Sequence, residues 1–215
     1  VSIGGRHAQH LWRLLNGLSI PHITLLDLDF GRHGGGMGRI KNAVQWLTEL
    51  GPAFIPKLVR QTVPPTEVDA VASSLPDNAV LATGFAIWTH WLRRHNIFYS
   101  SPLDLDMMML KSFPTAYLPD VAYDATKVVK TKLKKSVFGD KGKGNTELKK
   151  AKLTFTDQDL YNYKSLFKSA SKPGSHLTAF GKLDNDTLSR DCPEPLKALI
   201  ERAQKLIASP GKEEQ

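Results

Sequence analysis

A chain of 215 residues with 41% hydrophobic and 8% aromatic content can bury a substantial core. That excludes a disorder-dominated protein and accommodates one domain with an addition, or two small ones. A formal charge of +8 favours anionic partners, and the single cysteine, Cys192, excludes an intrachain disulfide and a cysteine-rich zinc site and fits a reducing, cytoplasmic setting.

No apolar run approaches the roughly 18 residues of a membrane span, so no membrane contact is expected. The chain opens at Val1 with no basic-then-apolar leader and reads as a fragment or excised domain.

Val1-Ser2-Ile3 reads as a strand tail and Gly4-Gly5 as a tight turn, followed by a helix with apolar positions Ala8, Leu11, Trp12, Leu14, Leu15 and Leu18. Ile20-Pro21-His22 enters a strand ending at Asp27, which makes a βαβ opening with a right-handed crossover. Strand alternation would point Asp27 and Asp29 to one side and Leu28 to the other. Two such carboxylates repel, and a divalent cation relieves the repulsion; the same pair also reads simply as a strand end capping a turn. Gly34, Gly35, Gly36 and Gly38 permit close backbone approach, and Arg32 and Arg39 offer forked donors for phosphate.

Ile40, Val44, Leu47 and Leu50 form a helical stripe stopped by Gly51-Pro52. Prolines 56, 64, 65 and 76 break the next stretch into a loop-rich connection with a short helix over 67–73, and residues 79–83 read as a short strand. A helix from Phe85 to Leu92 ends in Arg93-Arg94-His95-Asn96, where basic residues suit a C-terminus as well as they suit DNA. Ile97 to Ser100 reads as a strand opening on the same sheet edge as Asp27 and Asp29, so Asp104 and Asp106 bring a second acidic pair there. Complementing the dipole of the helix that follows is an equal reading of that pair.

Lysines then crowd positions 127, 130, 132, 134, 135, 141, 143, 149, 150 and 152, offset only by Asp140 and Glu147. Lys132, Lys134 and Lys135 are the candidates for tracking a phosphate backbone, against the plainer reading of a solvated arm. This part is expected to be an insertion reaching beyond the core around a glycine-containing loop. Leu160, Tyr161, Tyr163, Leu166 and Phe167 mark a returning helix, which Pro173 would end, leaving Lys172 at an element boundary. Beyond it lie helical patterns, the last with an apolar face of Leu196, Leu199, Ile200, Ala203 and Leu206.

The stretch Leu-Leu-Asp-Leu-Asp with Gly-Arg, Gly-Gly-Gly and Gly-Arg-Ile, over residues 25–40, resembles the Asp-x-Asp segment of Toprim domains, in the branch found in OLD-type (overcoming lysogenization defect) ATPase-linked endonucleases of bacteria. Ser101 with Leu103-Asp104 resembles that branch's serine and acidic segment, and Lys172-Pro173 its Lys-Pro element. The resemblance implies an α/β fold with a Toprim-like, mostly parallel sheet flanked by helices, a helical lysine-rich insertion and a helical tail. The corresponding segments are a core over 1–118, the insertion over 119–170, and the Lys-Pro element with C-terminal helices over 171–215.

It further implies metal-dependent hydrolysis of DNA phosphodiesters. Asp27, Asp29 and Asp104, with Asp106, would hold one or two Mg²⁺ or Mn²⁺ ions. Lys172 would neutralise charge, and Arg32, Arg39 and Ser101 would contact phosphate. Implied partners are DNA and an upstream ATPase domain or subunit, with homo-oligomers formed through the parent protein and a link to phage defence. One departure stands out. Where the family has a Glu-Gly turn and a further acidic residue, this chain has Gly4-Gly5 and Ala8, with His7 the one candidate base nearby. A Toprim module that binds DNA or an ATPase partner without cutting is therefore the alternative.

Overall fold

The structure, a computed structural model, describes residues 8–51, 83–144, 148 and 154–208. The expected first strand and Gly4-Gly5 turn, the helix over 67–73, most of the strand over 79–83 and Lys149, Lys150 and Lys152 lie outside them. Among the described residues the chain is mixed α/β and mostly helical, with one two-stranded sheet.

The chain divides into two compact units that interleave along the sequence. The first comprises Val1–Asp27, Met37–Tyr99 and Lys197–Gln215, and the second Leu28–Gly36 and Ser100–Leu196. The sequence suggested consecutive segments, whereas the contacts group stretches far apart in the chain.

In the first unit, α1 (Ala8–Gly17) packs on α2 (Met37–Leu50), which also meets α3 (Thr83–Arg93). Trp12 is buried, donates from Nε1 to Thr24 Oγ1 at 2.8 Å, and meets Trp46 edge-on at 5.7 Å. A large ring with a satisfied N–H is how tryptophan enters a core without leaving a polar atom unpaired. Ile40, Ala43, Val44 and Leu47 supply the buried stripe of α2, as their spacing required. Leu14 and Leu18 are exposed, so only part of the apolar face of the first helix is used.

Strand β1 (Thr24–Asp27) pairs with β2 (Ile97–Ser100). Thr24 N–H donates to Asn96 O at 2.8 Å and Leu28 N–H to Ser100 O at 3.3 Å, so the two run parallel. All four residues of β2 are buried, the apolar-aromatic run Ile97-Phe98-Tyr99 and the polar Ser100 alike. Tyr99 is kept neutral by that burial and donates its hydroxyl to the backbone oxygen of Arg39 at 3.0 Å.

The second unit is helical: α4 (Leu105–Ser112), α5 (Lys130–Phe138), α6 (Asp157–Phe167), α7 (Lys172–Phe180) and α8 (Asn185–Asp191). Helices α4, α5 and α7 all pack on α6. Its N-terminus carries a reciprocal cap: Thr156 Oγ1 accepts from Asp159 N at 3.0 Å, and Asp159 Oδ2 from Thr156 N at 2.8 Å.

The lysine-rich α5 belongs to this unit's core, because Leu133, Val137 and Phe138 are buried between the lysines. An arm reaching beyond the core was expected there. Pro173 likewise starts a helix and does not end one: α6 stops at Phe167, and Ser171 caps α7 with Pro173 in its first turn. Proline suits that position because its missing N–H has no helical partner to lose.

The final helix, α9 (Glu194–Ala208), has no buried residue, and Ile200 and Ile207 are exposed. Among the described residues no helix is long and apolar enough to cross a membrane.

Candidate functional site

The carboxyl ends of the two strands continue to pair after regular strand geometry stops. Asp29 N–H donates to Leu103 O at 2.5 Å and Phe30 N–H to Pro102 O at 3.0 Å. This backbone pairing lays the glycine loop along the 100–104 segment and brings two acidic stretches, some seventy positions apart in sequence, into one place.

The loop turns sharply. Asp29 has φ +53°, Gly31 +91°, Gly34 +71° and Gly36 +62°. Arg32 N–H closes on Asp29 O at 2.9 Å, and Gly36 N–H on Leu28 O at 2.7 Å. A Cβ on Gly35 would stand 1.8 Å from Asp29 O, so backbone packs on backbone there and only glycine fits.

This geometry revises the expected Asp27/Asp29 pair. The strand ends at Asp27, and Asp29 sits in the left-handed region, so extended alternation does not carry through to it. Asp27 is exposed and belongs to the first unit; Asp29 is buried and belongs to the second.

Within the second unit Asp29 and Asp104 share one cation. Arg32 Nη1 contacts Asp29 Oδ1 at 2.5 Å, and Nη2 contacts Asp104 Oδ2 at 2.9 Å. Arg32 Nη2 also donates to the Tyr163 hydroxyl at 2.8 Å, and Nε to Val137 O at 3.0 Å. Tyr163 donates in turn to Asp104 Oδ2 at 2.5 Å. The other oxygen of Asp104 accepts from Met107 N at 2.9 Å and caps α4. Asp104 is thus both a helix cap and a member of the cluster.

Burial alone would lower the pKa of Arg32, but Asp104 first, then Tyr163 and Asp29, raise it on balance. Burial and the Asp104 carboxylate raise that of Tyr163, so its hydroxyl keeps its proton. Sharing a cation and hydrogen bonds in this way is how buried carboxylates offset much of the cost of desolvation.

Asp106, in the first turn of α4, heads a second set. Lys172 Nζ makes a short contact with its Oδ2, and His176 Nε2 lies 3.1 Å from Oδ1. Burial opposes ionisation of Asp106, but hydrogen bonds from His176 and Lys172, with their charge, leave its pKa lowered. The Tyr117 hydroxyl is 2.7 Å from His176 Nδ1, and burial with the nearby Asp106 pushes its pKa up to about 12.

Tyr117 and Phe167 flank the imidazole, with centroids at 5.5 and 5.1 Å. Lys168 lies over the Tyr163 ring at 5.9 Å, and partial burial, Arg32 and Lys172 lower its pKa. It is a further cation beside both sets.

Of the residues singled out from sequence, Asp29, Asp104 and Arg32 therefore form one set and Asp106 and Lys172 a second, both in the second unit. Ser101 follows β2 and is partly exposed. Arg39 lies in the first turn of α2, in the first unit. Lys132 and Lys135 are exposed on α5 and Lys134 is half-buried there; Lys130 and Lys135 reach Asp157 and Asp140 at 2.9 and 2.8 Å.

The sequence reasoning missed Tyr163, Tyr117 and His176. His176 lies four residues beyond Lys172 on one helix, a spacing that places two side chains on one face and was there to be read.

The donor set is all oxygen, the chemistry of Mg²⁺ or Mn²⁺, and Mg²⁺ asks for only one or two carboxylates with water. Asp29 and Asp104 meet that requirement, because they already place a positive group between them. Among the described residues no three His, Cys, Asp or Glu side chains converge as a ligand set. Arg32 and Lys172 take up carboxylate oxygens in the arrangement seen.

Compared with known proteins, the chain matches no family model, no curated protein and no solved structure.

Proposed function

We propose that the second unit carries the acidic centre of a metal-dependent DNA endonuclease, the Toprim-like module of an OLD-type, ATPase-linked nuclease. The observation that carries this reading is the pairing of Asp29 and Asp104 across Arg32, with Asp106 and Lys172 forming a second set in the same unit, all drawn from separate stretches of the chain. The order of motifs along the sequence supports the family assignment, and with it an ATPase domain or subunit as partner and a role in phage defence.

In this reading Asp29 and Asp104 would hold Mg²⁺ or Mn²⁺, with Asp106 nearby. A bound ion of this kind polarises the phosphoryl oxygen and lowers the pKa of a coordinated water. Lys172 lies at the N-terminus of α7 with its side chain 48% exposed, which leaves it able to meet a phosphate while touching Asp106. Its ammonium would neutralise charge on the leaving oxygen. The exposed lysines of α5 would follow the DNA backbone and make binding salt-dependent.

A second reading has its own support. Each of these buried carboxylates already carries a cationic partner, which is the state expected of a Toprim module that binds DNA or an ATPase without cutting.

Cleavage of supercoiled plasmid separates the two. Wild type and Asp29→Asn would be compared in Mg²⁺, Mn²⁺ and EDTA. Nicking that needs metal and vanishes in Asp29→Asn supports the endonuclease. DNA retardation by both proteins with no cleavage supports the binding module, and equal cleavage by both removes this cluster from the chemistry.

A further inference from the structure

We infer that Arg32 is a built-in competitor for the metal position, an internal cation that a divalent ion must displace before Asp29 and Asp104 can hold it. The inference rests on the metal-binding reading above and adds to it what the ion has to exchange with.

The geometry is specific. Both terminal nitrogens of Arg32 engage carboxylates, one on Asp29 and one on Asp104, while Nε is tied to Val137 O. The guanidinium therefore spans the gap between the two carboxylates, and its side chain is 22% exposed. Two buried carboxylates with Arg32 sum to one negative charge; with a divalent ion alone they sum to zero. With both cations present the cluster is positive, and like charges crowd in a place shielded from water. Arg32 and the ion therefore exclude each other from the two oxygens.

The contacts of Nε to Val137 O and of Nη2 to the Tyr163 hydroxyl involve no carboxylate, so displacement frees the N–H groups that faced Asp29 and Asp104 while these two anchors stay. A freed guanidinium fork fits a phosphodiester, the anion such a site would act on. The phosphate role expected of Arg32 from sequence then belongs to the metal-loaded state, and the carboxylate bridge to the metal-free one.

The test reads metal binding, not activity. Mn²⁺ would be titrated into the whole chain by calorimetry for wild type, Arg32→Gln, Arg32→Lys and Asp29→Asn, with folding checked by circular dichroism. Competition of typical size predicts Mn²⁺ binding at least about fivefold tighter in Arg32→Gln. Arg32→Lys, whose single ammonium spans the gap less well, is expected between it and wild type. Asp29→Asn should lose the site.

Binding in Arg32→Gln no tighter than in wild type, with Asp29→Asn still losing it, would overturn the competition and leave the metal reading standing. No binding to any of the four would overturn both. Since Arg32→Gln removes several buried contacts at once, a second measurement uses unaltered protein: Mg²⁺ titration followed by nitrogen NMR at the Arg32 Nη1–H signal, the group that faces Asp29. Displacement predicts a shift of that signal that saturates with the ion, and binding that leaves it unmoved would refute the exchange.

Discussion

Replacing Tyr163 by Phe removes one oxygen atom and two hydrogen bonds, the one it donates to Asp104 at 2.5 Å and the one it accepts from Arg32 at 2.8 Å. Hydrogen bonds to charged groups contribute about 1.5–3 kcal/mol each. Neither partner is orphaned, however: Asp104 Oδ2 keeps Arg32 at 2.9 Å, Oδ1 keeps Met107 N at 2.9 Å, and Arg32 keeps Asp29. The ring itself stays packed against Phe167 at 5.5 Å.

The expected loss is therefore that of about one such bond, roughly 1.5–3 kcal/mol. With a urea slope of about 2 kcal/mol/M the midpoint falls by about 1 M. Equilibrium urea unfolding followed by circular dichroism measures it, with Tyr161→Phe as the control because Tyr161 meets only the neighbouring Tyr123 ring among the contacts described. A Tyr163→Phe midpoint within error of the control would refute the view that this hydroxyl bridges the two charges.

Gly35→Ala should destabilise the protein by at least about 1–3 kcal/mol, since its Cβ would overlap Asp29 O and force the loop apart; thermal unfolding reads this directly. Asp106 has a folded pKa below its ordinary 3.8, so the unfolded chain binds the extra proton in acid. Its contribution is full above that value and lost as pH falls through the folded one, and Asp106→Asn should flatten the acid limb of stability measured between about pH 2 and 6. Lys132→Ala with Lys135→Ala should change stability by less than about 1 kcal/mol, since both side chains are exposed. If α5 follows DNA, the slope of log affinity against log salt in a fluorescence titration should fall by about 1 to 2.

Local chemistry determined a good deal of this protein from the sequence alone. The 3.6-residue stripes of Ala8 to Leu18 and Ile40 to Leu50 became α1 and α2, and the apolar runs at 24–27 and 97–100 became paired parallel strands. Gly51 and the Ser171-Lys172-Pro173 step marked element boundaries, although the latter opens a helix where an ending was expected. Such signals are legible because they depend on neighbours three or four positions away.

The cluster needed the fold. That Asp29 leaves the strand alternation follows from its left-handed φ in a loop closed on itself, and alternation alone pointed the other way. That Leu133, Val137 and Phe138 bury α5 among so many lysines depends on α6 being there to receive them. Tyr163 reads from sequence as one more apolar position beside Leu160 and Phe167, and only packing turns its hydroxyl onto Asp104 and Arg32.

The sequence determined which groups are charged. Tertiary structure decided which charges share a site, because a buried carboxylate is satisfied by whichever cation the fold delivers, however far along the chain it lies.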